Sequence, residues 1–193
     1  QAGNATIDID SGKTLTFDNG TISTENHQLT VEGAGTVAFP NGTTWTEQTS
    51  GTSNKLIEVN YTNDIFVAVG DSGTILTSSN GNSWTSRTSG STEDITDVIY
   101  ANDTFMAVGY SGTILTSTDG STWTSGTSGT SIALRGVTYG NSTFVAVGKS
   151  GGIITSTDGT SWDNRTSGTS NRLYGFTYGN NTFVGVGLDG NII

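Results

Sequence analysis

The chain has 193 residues, with 17 Asp plus Glu against 7 Lys plus Arg, a formal net charge of −10 and no cysteine. Its basic residues are scattered singly, which argues against nucleic acid or an anionic membrane surface as partner, because both require clustered Lys and Arg, and the lack of cysteine excludes disulfides and thiolate metal sites. Thr (36), Ser (23) and Gly (28) dominate beside a single Pro, no apolar run reaches the ~20 residues of a membrane helix, and the β-branched and aromatic residues fall in short runs between Gly, Asn, Asp and Ser, the pattern of an all-β protein.

In chain order, the first 37 residues alternate apolar and polar side chains at Ile7 and Ile9, Leu15 and Phe17, then Leu29 and Val31. This period of two predicts half-buried strands, with turns at Ser11-Gly12, Asn19-Gly20 and the Gly-Ala-Gly run 33–35. So short a stretch cannot build an independent core. Residues 1–37 are therefore expected to be a β-rich N-terminal arm that leans on the rest of the chain or on another subunit, adding strands to an open sheet edge. The run resembles the strand ladders of bacterial surface adhesins and phage fibre proteins. The only histidine, His27, lies here near Glu25, no nucleophile elbow accompanies it, and it reads as a surface residue. The chain opens on Gln1 and its one Met is Met106, so a processed chain is expected, with a removed signal peptide the simplest cause and an extracellular, secreted, or cell- or virion-surface location.

From residue 38 onward the chain is a tandem array. Trp45, Trp84, Trp123 and Trp162 stand 39 residues apart, as do Tyr61, Tyr100, Tyr139 and Tyr178, and Phe66, Phe105, Phe144 and Phe183. A period of this length marks units that cannot bury their apolar faces alone and must stack. In one unit, strands are predicted from Leu134 to Tyr139, Thr143 to Gly148, Ile153 to Ser156 and Ser161 to Arg165, joined by turns at Gly140-Asn141, Ser150-Gly151 and Asp158-Gly159. Runs such as Phe144-Val-Ala-Val147 are apolar on both faces, as in sheets packed face to face. The fold class that follows is an all-β propeller of four 39-residue, four-stranded blades over residues 38–193. The array starts with the tail of a unit around Trp45 and stops in mid-unit at Ile193, so the Trp45 strand is expected to pair with the Ile192-Ile193 strand and close the ring. A larger ring of six to eight blades, from a longer parent chain or two chains, stays open as the rival.

The third turn of each unit repeats a motif: Ser78, Asn80, Gly81 and Trp84; Ser117, Asp119, Gly120 and Trp123; Ser156, Asp158, Gly159 and Trp162; with Asn41, Gly42 and Trp45 as a worn copy. This resembles the Asp-box, or bacterial neuraminidase repeat, in a form one residue shorter than the commonest spacing. The resemblance implies a hairpin between the third and fourth strands of a propeller blade. By their own chemistry Asn80, Asp119 and Asp158 are expected to accept backbone N–H bonds within the turn, while Trp84, Trp123 and Trp162 cover the hairpin; the role is structural, with no metal or cofactor.

Positions that recur in every unit are explained by the blade, so a binding surface is sought where the units differ. The openings of the first strands and the residue after each second strand vary, and they offer Tyr110, Arg135, Lys149, Arg172 and Tyr174 as candidate binding residues. The acidic group Glu93, Asp94 and Asp97 reads as a solvated loop or at best a weak cation site. The Asp-box resemblance raises a sialidase, whose chemistry would need converging arginines, a Tyr nucleophile with a Glu, and an Asp acid/base. Only Arg87, Arg135, Arg165 and Arg172 are present, Arg87 and Arg165 belong to the outer fourth strands, and the recurrent Tyr are scaffold. Eight Asn-x-Ser/Thr sequons occur, a slight excess over composition, and Asn102, Asn141 and Asn180 share a turn position that already favours Asn. The expected function is a non-enzymatic structural or adhesion protein that forms a homo-oligomer or larger assembly through its arm and presents propeller loops to a glycan or surface protein. A carbohydrate-binding, lectin-like propeller is the alternative, and a sialidase-like glycosidase ranks below it.

Overall fold

The computed structural model describes the backbone of residues 5–8, 14–16, 29–32 and 36–38 and all of residues 47–193. The chain divides into two units, Gln1–Glu47 and Gln48–Ile193. In the first, β1 (Ala5–Asp8) pairs with β3 (Leu29–Glu32) and β2 (Thr14–Thr16) with β4 (Thr36–Ala38), both in parallel, with Ala5 opposite Leu29 and Thr14 opposite Thr36. Parallel partners need a long return connection where a hairpin needs two residues. The alternation that predicts strands here is silent on their pairing. His27 and Trp45 lie outside the described residues.

In the second unit the 39-residue period becomes a series of antiparallel meanders. Blade 1 comprises β5 (Leu56–Thr62), β6 (Ile65–Gly70), β7 (Ile75–Ser78) and β8 (Thr85–Arg87). Blade 2 comprises β9 (Ile95–Ala101), β10 (Thr104–Gly109), β11 (Ile114–Ser117) and β12 (Thr124–Ser125), and blade 3 β13 (Leu134–Gly140), β14 (Thr143–Gly148), β15 (Ile153–Ser156) and β16 (Asp163–Arg165). Blade 4 has β17 (Leu173–Gly179) and β18 (Thr182–Gly187), followed by a single antiparallel bridge from Val186 to Ile192. The first two strands of each blade turn through two residues with positive φ, as at Asn102 (50°) and Asp103 (57°), the left-handed conformation that Asn and Asp tolerate and that matches the twist of a hairpin. Each second and third strand is joined by a short 3-10 turn: Asp71–Gly73, Tyr110–Gly112, Lys149–Gly151 and Leu188–Gly190. In blades 1 to 3 the last residue of that turn must be glycine on two counts. At Gly112 φ is +72°, and a Cβ there would lie 2.1 Å from the carbonyl oxygen of Thr130.

The first strands stand side by side in the series β5, β9, β13, β17, so they form the inner edge of the array. Three apolar clusters fill the junctions. Val67, Val69 and Ile75 of blade 1 pack on Ile95, Val98, Phe105, Ala107, Leu115 and Trp123 of blade 2. Met106, Val108 and Ile114 of blade 2 pack in the same way on Leu134, Val137, Phe144, Ala146 and Ile154 of blade 3, and Val145, Val147 and Ile153 of blade 3 on Leu173, Phe176, Phe183 and Ile193 of blade 4. The second and third strands of the middle blades are thus apolar on both faces because blades 2 and 3 each have a neighbour on both sides.

Among the described residues the series does not return on itself, since no such cluster joins blade 4 to blade 1. The backward face of blade 1 leaves Val59 54% exposed where its equivalent Val98 is 0%, and the forward face of blade 4 leaves Val186 50% exposed where Val147 is 0%. Ile192 pairs with Val186 of its own blade, as a third strand should. The expected partner on its far side, the Trp45 strand, falls outside the described residues.

Candidate functional site

The outer turns that carry the Ser-x-Asp-Gly motif satisfy themselves. Ser117 Oγ donates to Asp119 Oδ1 (2.9 Å) and accepts from the Gly120 N–H (2.9 Å), while Asp119 Oδ1 also accepts from the Ser121 and Thr122 N–H groups, each at 2.7 Å. These backbone donors, Thr122 first, hold the Asp119 carboxyl down at about 2, and the N–H groups of Ser161 and Thr160 hold that of Asp158 well below the usual carboxylate range. Asn80 occupies the same place in blade 1, with Oδ1 accepting from Asn82 N–H (2.9 Å) and Ser83 N–H (3.0 Å). The indoles of Trp84, Trp123 and Trp162 donate to Gly81, Gly120 and Gly159 carbonyls at 3.1, 3.0 and 3.3 Å. Trp84 and Trp123 also lie within 6.2 and 6.3 Å of the rings of Phe66 and Phe105. In the three described copies the Ser, Asp or Asn, and Trp side chains of the motif are thus engaged in shaping a hairpin.

The variable residues collect at the opposite edge, where the 3-10 turns meet the first strands. Arg135, on β13, lays its guanidinium 4.5 Å from the ring centre of Tyr110 in the 3-10 turn of the preceding blade, a cation–π contact that spans a junction. Its Nε is buried and unpaired. Arg172 lies 5.8 Å from the ring centre of Tyr174, and the turn holding Lys149 packs against β17, which carries Tyr174. The structure thus links four of the five candidates in two pairs, Tyr110 with Arg135 and Arg172 with Tyr174, on blades 2 to 4, with Lys149 exposed beside the second. Arg87 and Arg165 lie elsewhere, each donating Nε–H to a third-strand threonine, Thr77 or Thr155, at 2.8 Å.

The acidic group departs from its expected reading as a solvated loop. Asp94 Oδ1 accepts from the Ser72 N–H of blade 1 (3.0 Å), Glu93 Oε2 from Ser111 Oγ (3.0 Å), and Asp97 from its neighbour Val98 and from Val137 N–H of blade 3, both at 2.8 Å. Burial pushes the Asp97 carboxyl up to about 6 against the opposing pull of those two N–H bonds, with Glu58 adding repulsion. Asp94 and Asp97 tie blades together, while Glu93 bonds within blade 2; among the described residues no group of three or more acidic or histidine side chains is placed to share a metal ion. Asp97 as a junction residue was not legible from its spacing, since its partner is 40 positions away. The signal that could have found it is the column Glu58, Asp97, Gly136, Gly175, in which the carboxylates give way to glycine where a Cβ on Gly136 would meet the Tyr174 carbonyl oxygen at 2.9 Å.

Two hollows among the described residues, of ≈ 570 and ≈ 530 Å³, lie under the segments linking blades and are lined almost wholly by Ser, Thr and Gly. Arg87 is the one titratable residue on either wall. They lack the convergent acid, base or nucleophile that a catalytic cleft needs.

Serial antiparallel blades with their first strands innermost are the architecture of a β-propeller. The chain belongs to the family of the DUF6242 beta propeller domain, which matches residues 40–151. No curated protein matches it. Among solved structures it is similar to the computationally designed Ika4 protein, with a TM-score of 0.63 at 13% identity over 78% of this chain and 97% of that one. It is similar also to YCF48 from Cyanidioschyzon merolae (TM-score 0.60, 17% identity, 79% of this chain) and to YCF48 bound to D1 peptide (TM-score 0.58, 18% identity, 70% of this chain). It spans about half of those two, 53% and 47%. At these identities the likeness is one of fold.

Proposed function

We propose that this protein is a non-enzymatic, extracellular or virion-associated binding and structural module, whose repeated outer turns build Asp-box-like blades and whose inner rim on blades 2 to 4 engages an anionic partner. The observation that carries the reading is the stack of Arg135 on Tyr110 across a blade junction. A guanidinium set over a ring, on a chain of net charge −10, offers its Nη groups to a carboxylate or sulfate while the aromatic offers a face for a sugar or side chain. Arg172, Tyr174 and Lys149 extend the same chemistry to the next junction. A carboxylated glycan on a host or neighbouring surface fits this edge better than a neutral one. The parallel strands of the N-terminal arm leave open sheet edges suited to attaching the module to a larger assembly, where copy number multiplies weak contacts.

The test is an array of neutral and acidic oligosaccharides probed with the whole chain, Arg135→Ala and Arg172→Ala, with sialoside hydrolysis assayed in parallel. Retention on acidic glycans that both variants lose is the expected result. Retention that ignores both arginines removes the rim from the reading, and turnover of the sialoside ends the non-enzymatic one.

A further inference from the structure

The end faces of the propeller unit carry the complementary halves of one more blade junction, and we infer that a second copy of this chain supplies the missing half, two copies closing a two-fold ring of eight blades. The match holds position by position. The forward face of blade 4 presents Val184, Val186 and Ile192, the 39-residue equivalents of Val67, Val69 and Ile75, which bury themselves on blade 2. The backward face of blade 1 presents Leu56, Val59 and Trp84, the equivalents of Ile95, Val98 and Trp123, which receive them. On that face lies a hollow of ≈ 370 Å³, its apolar wall made by Leu56, Ile57, Val59, Ala68 and Trp84, with Gln48, Ser50 and Glu58 completing the lining. The interior junctions are therefore a template for the contact the two free faces would make.

The rim residues, which differ at every junction, extend the match. At the second junction Tyr110 lies under Arg135, and at the third the Lys149 turn packs on the strand of Tyr174. The same step from Leu188 leads to Ile57 of the second copy, so Leu188, which is 46% exposed here, gains an apolar partner. At the first junction the Ser72 N–H donates to Asp94 (3.0 Å); the corresponding residues at the new junction are Asp189 and Lys55, of opposite charge. Apolar meets apolar and acid meets base where the repeat alone demands neither. A head-to-tail contact of this kind forms a ring if its rotation closes. Two copies give eight blades, within the usual propeller range of about four to eight, and three copies would exceed it.

The test is the mass of the full chain by native mass spectrometry and light scattering at micromolar concentration. A species of twice 19.9 kDa is expected. Val186→Asp, on an exposed position of β18, should give a monomer with an unchanged circular dichroism spectrum. Lys55→Asp sets two carboxylates together at both junctions and should weaken the dimer by about tenfold or more. Adding Asp189→Ser to it rebuilds the Ser72–Asp94 arrangement of the first junction and should restore the dimer, an outcome that a folding defect would not produce. A monomeric wild type overturns the inference, as does a trimer or filament, or a dimer indifferent to Val186→Asp.

Discussion

Blades 2 and 3 and blades 1 and 4 are built from nearly the same sequence, yet only the middle pair is buried on both sides. Phe144 is fully buried between blades, whereas its equivalent Phe66 is half-exposed on the free face of blade 1. The difference lies in the neighbour, because the strand, the turn and the ring contact with the preceding tyrosine are the same, at 4.6 Å in both blades. In a quasi-one-dimensional array, stability is carried by the junctions as much as by the units.

The largest effect that follows separates those two phenylalanines. Phe144→Ala should cost about 3–5 kcal/mol, the range for truncating a fully buried aromatic, while Phe66→Ala should cost well under half as much in the monomer. Chemical denaturation of both variants at a concentration too low for association measures this. Equal losses would mean that the end face is covered and the middle and end blades are not distinct.

The strand positions within a blade were legible because Asn and Gly mark turns that need positive φ: the predicted Thr143 to Gly148 and Ile153 to Ser156 strands are the observed ones. The fourth strand is shorter than its pattern, running Asp163–Arg165, since Ser161 is drawn into the turn by Asp158. The rim was legible as a set of variable residues, but its pairing was not. Arg135 reaches Tyr110, and Asp97 reaches Val137, only after blades have stacked, and stacking brings together residues from different units that no local pattern links. Likewise the parallel pairing of β1 with β3 depends on a return path that alternation alone does not encode.

The junctions themselves are not equivalent, and pH should expose this at an intermediate magnitude. At the first junction Asp94 accepts an N–H from the preceding blade, whereas at the second the half-buried Asp97 accepts one from the following blade. Its pKa, raised to about 6 from 3.8, means that the native state holds this proton more tightly than the unfolded chain does. The stabilisation is complete below pH 3.8 and is lost as pH rises through 6, a decline on the order of 3 kcal/mol. Asp97→Asn should flatten the slope of unfolding free energy between those limits. A wild type whose stability is level over that interval, or a variant that keeps the full slope, would remove Asp97 from the account of the second junction.

The smallest expected effect belongs to the outer turns, where middle and end blades should behave alike. Asp119 is held at about 2 by N–H donors, so its contribution is present above pH 3.8 and fades as pH falls through 2, the opposite direction to Asp97. Blade 1 already forms the same turn with Asn80, whose side-chain oxygen accepts the corresponding pair of N–H groups. Asp119→Asn should therefore leave the thermal midpoint at pH 7 nearly unchanged, shorten the acid limb of the stability curve, and keep the indole of Trp123 in place by fluorescence. A large loss at neutral pH would mean that the negative charge itself, and not the two accepted hydrogen bonds, holds the turn, and the three described outer hairpins, of blades 1, 2 and 3, would then differ between blades as much as the junctions do.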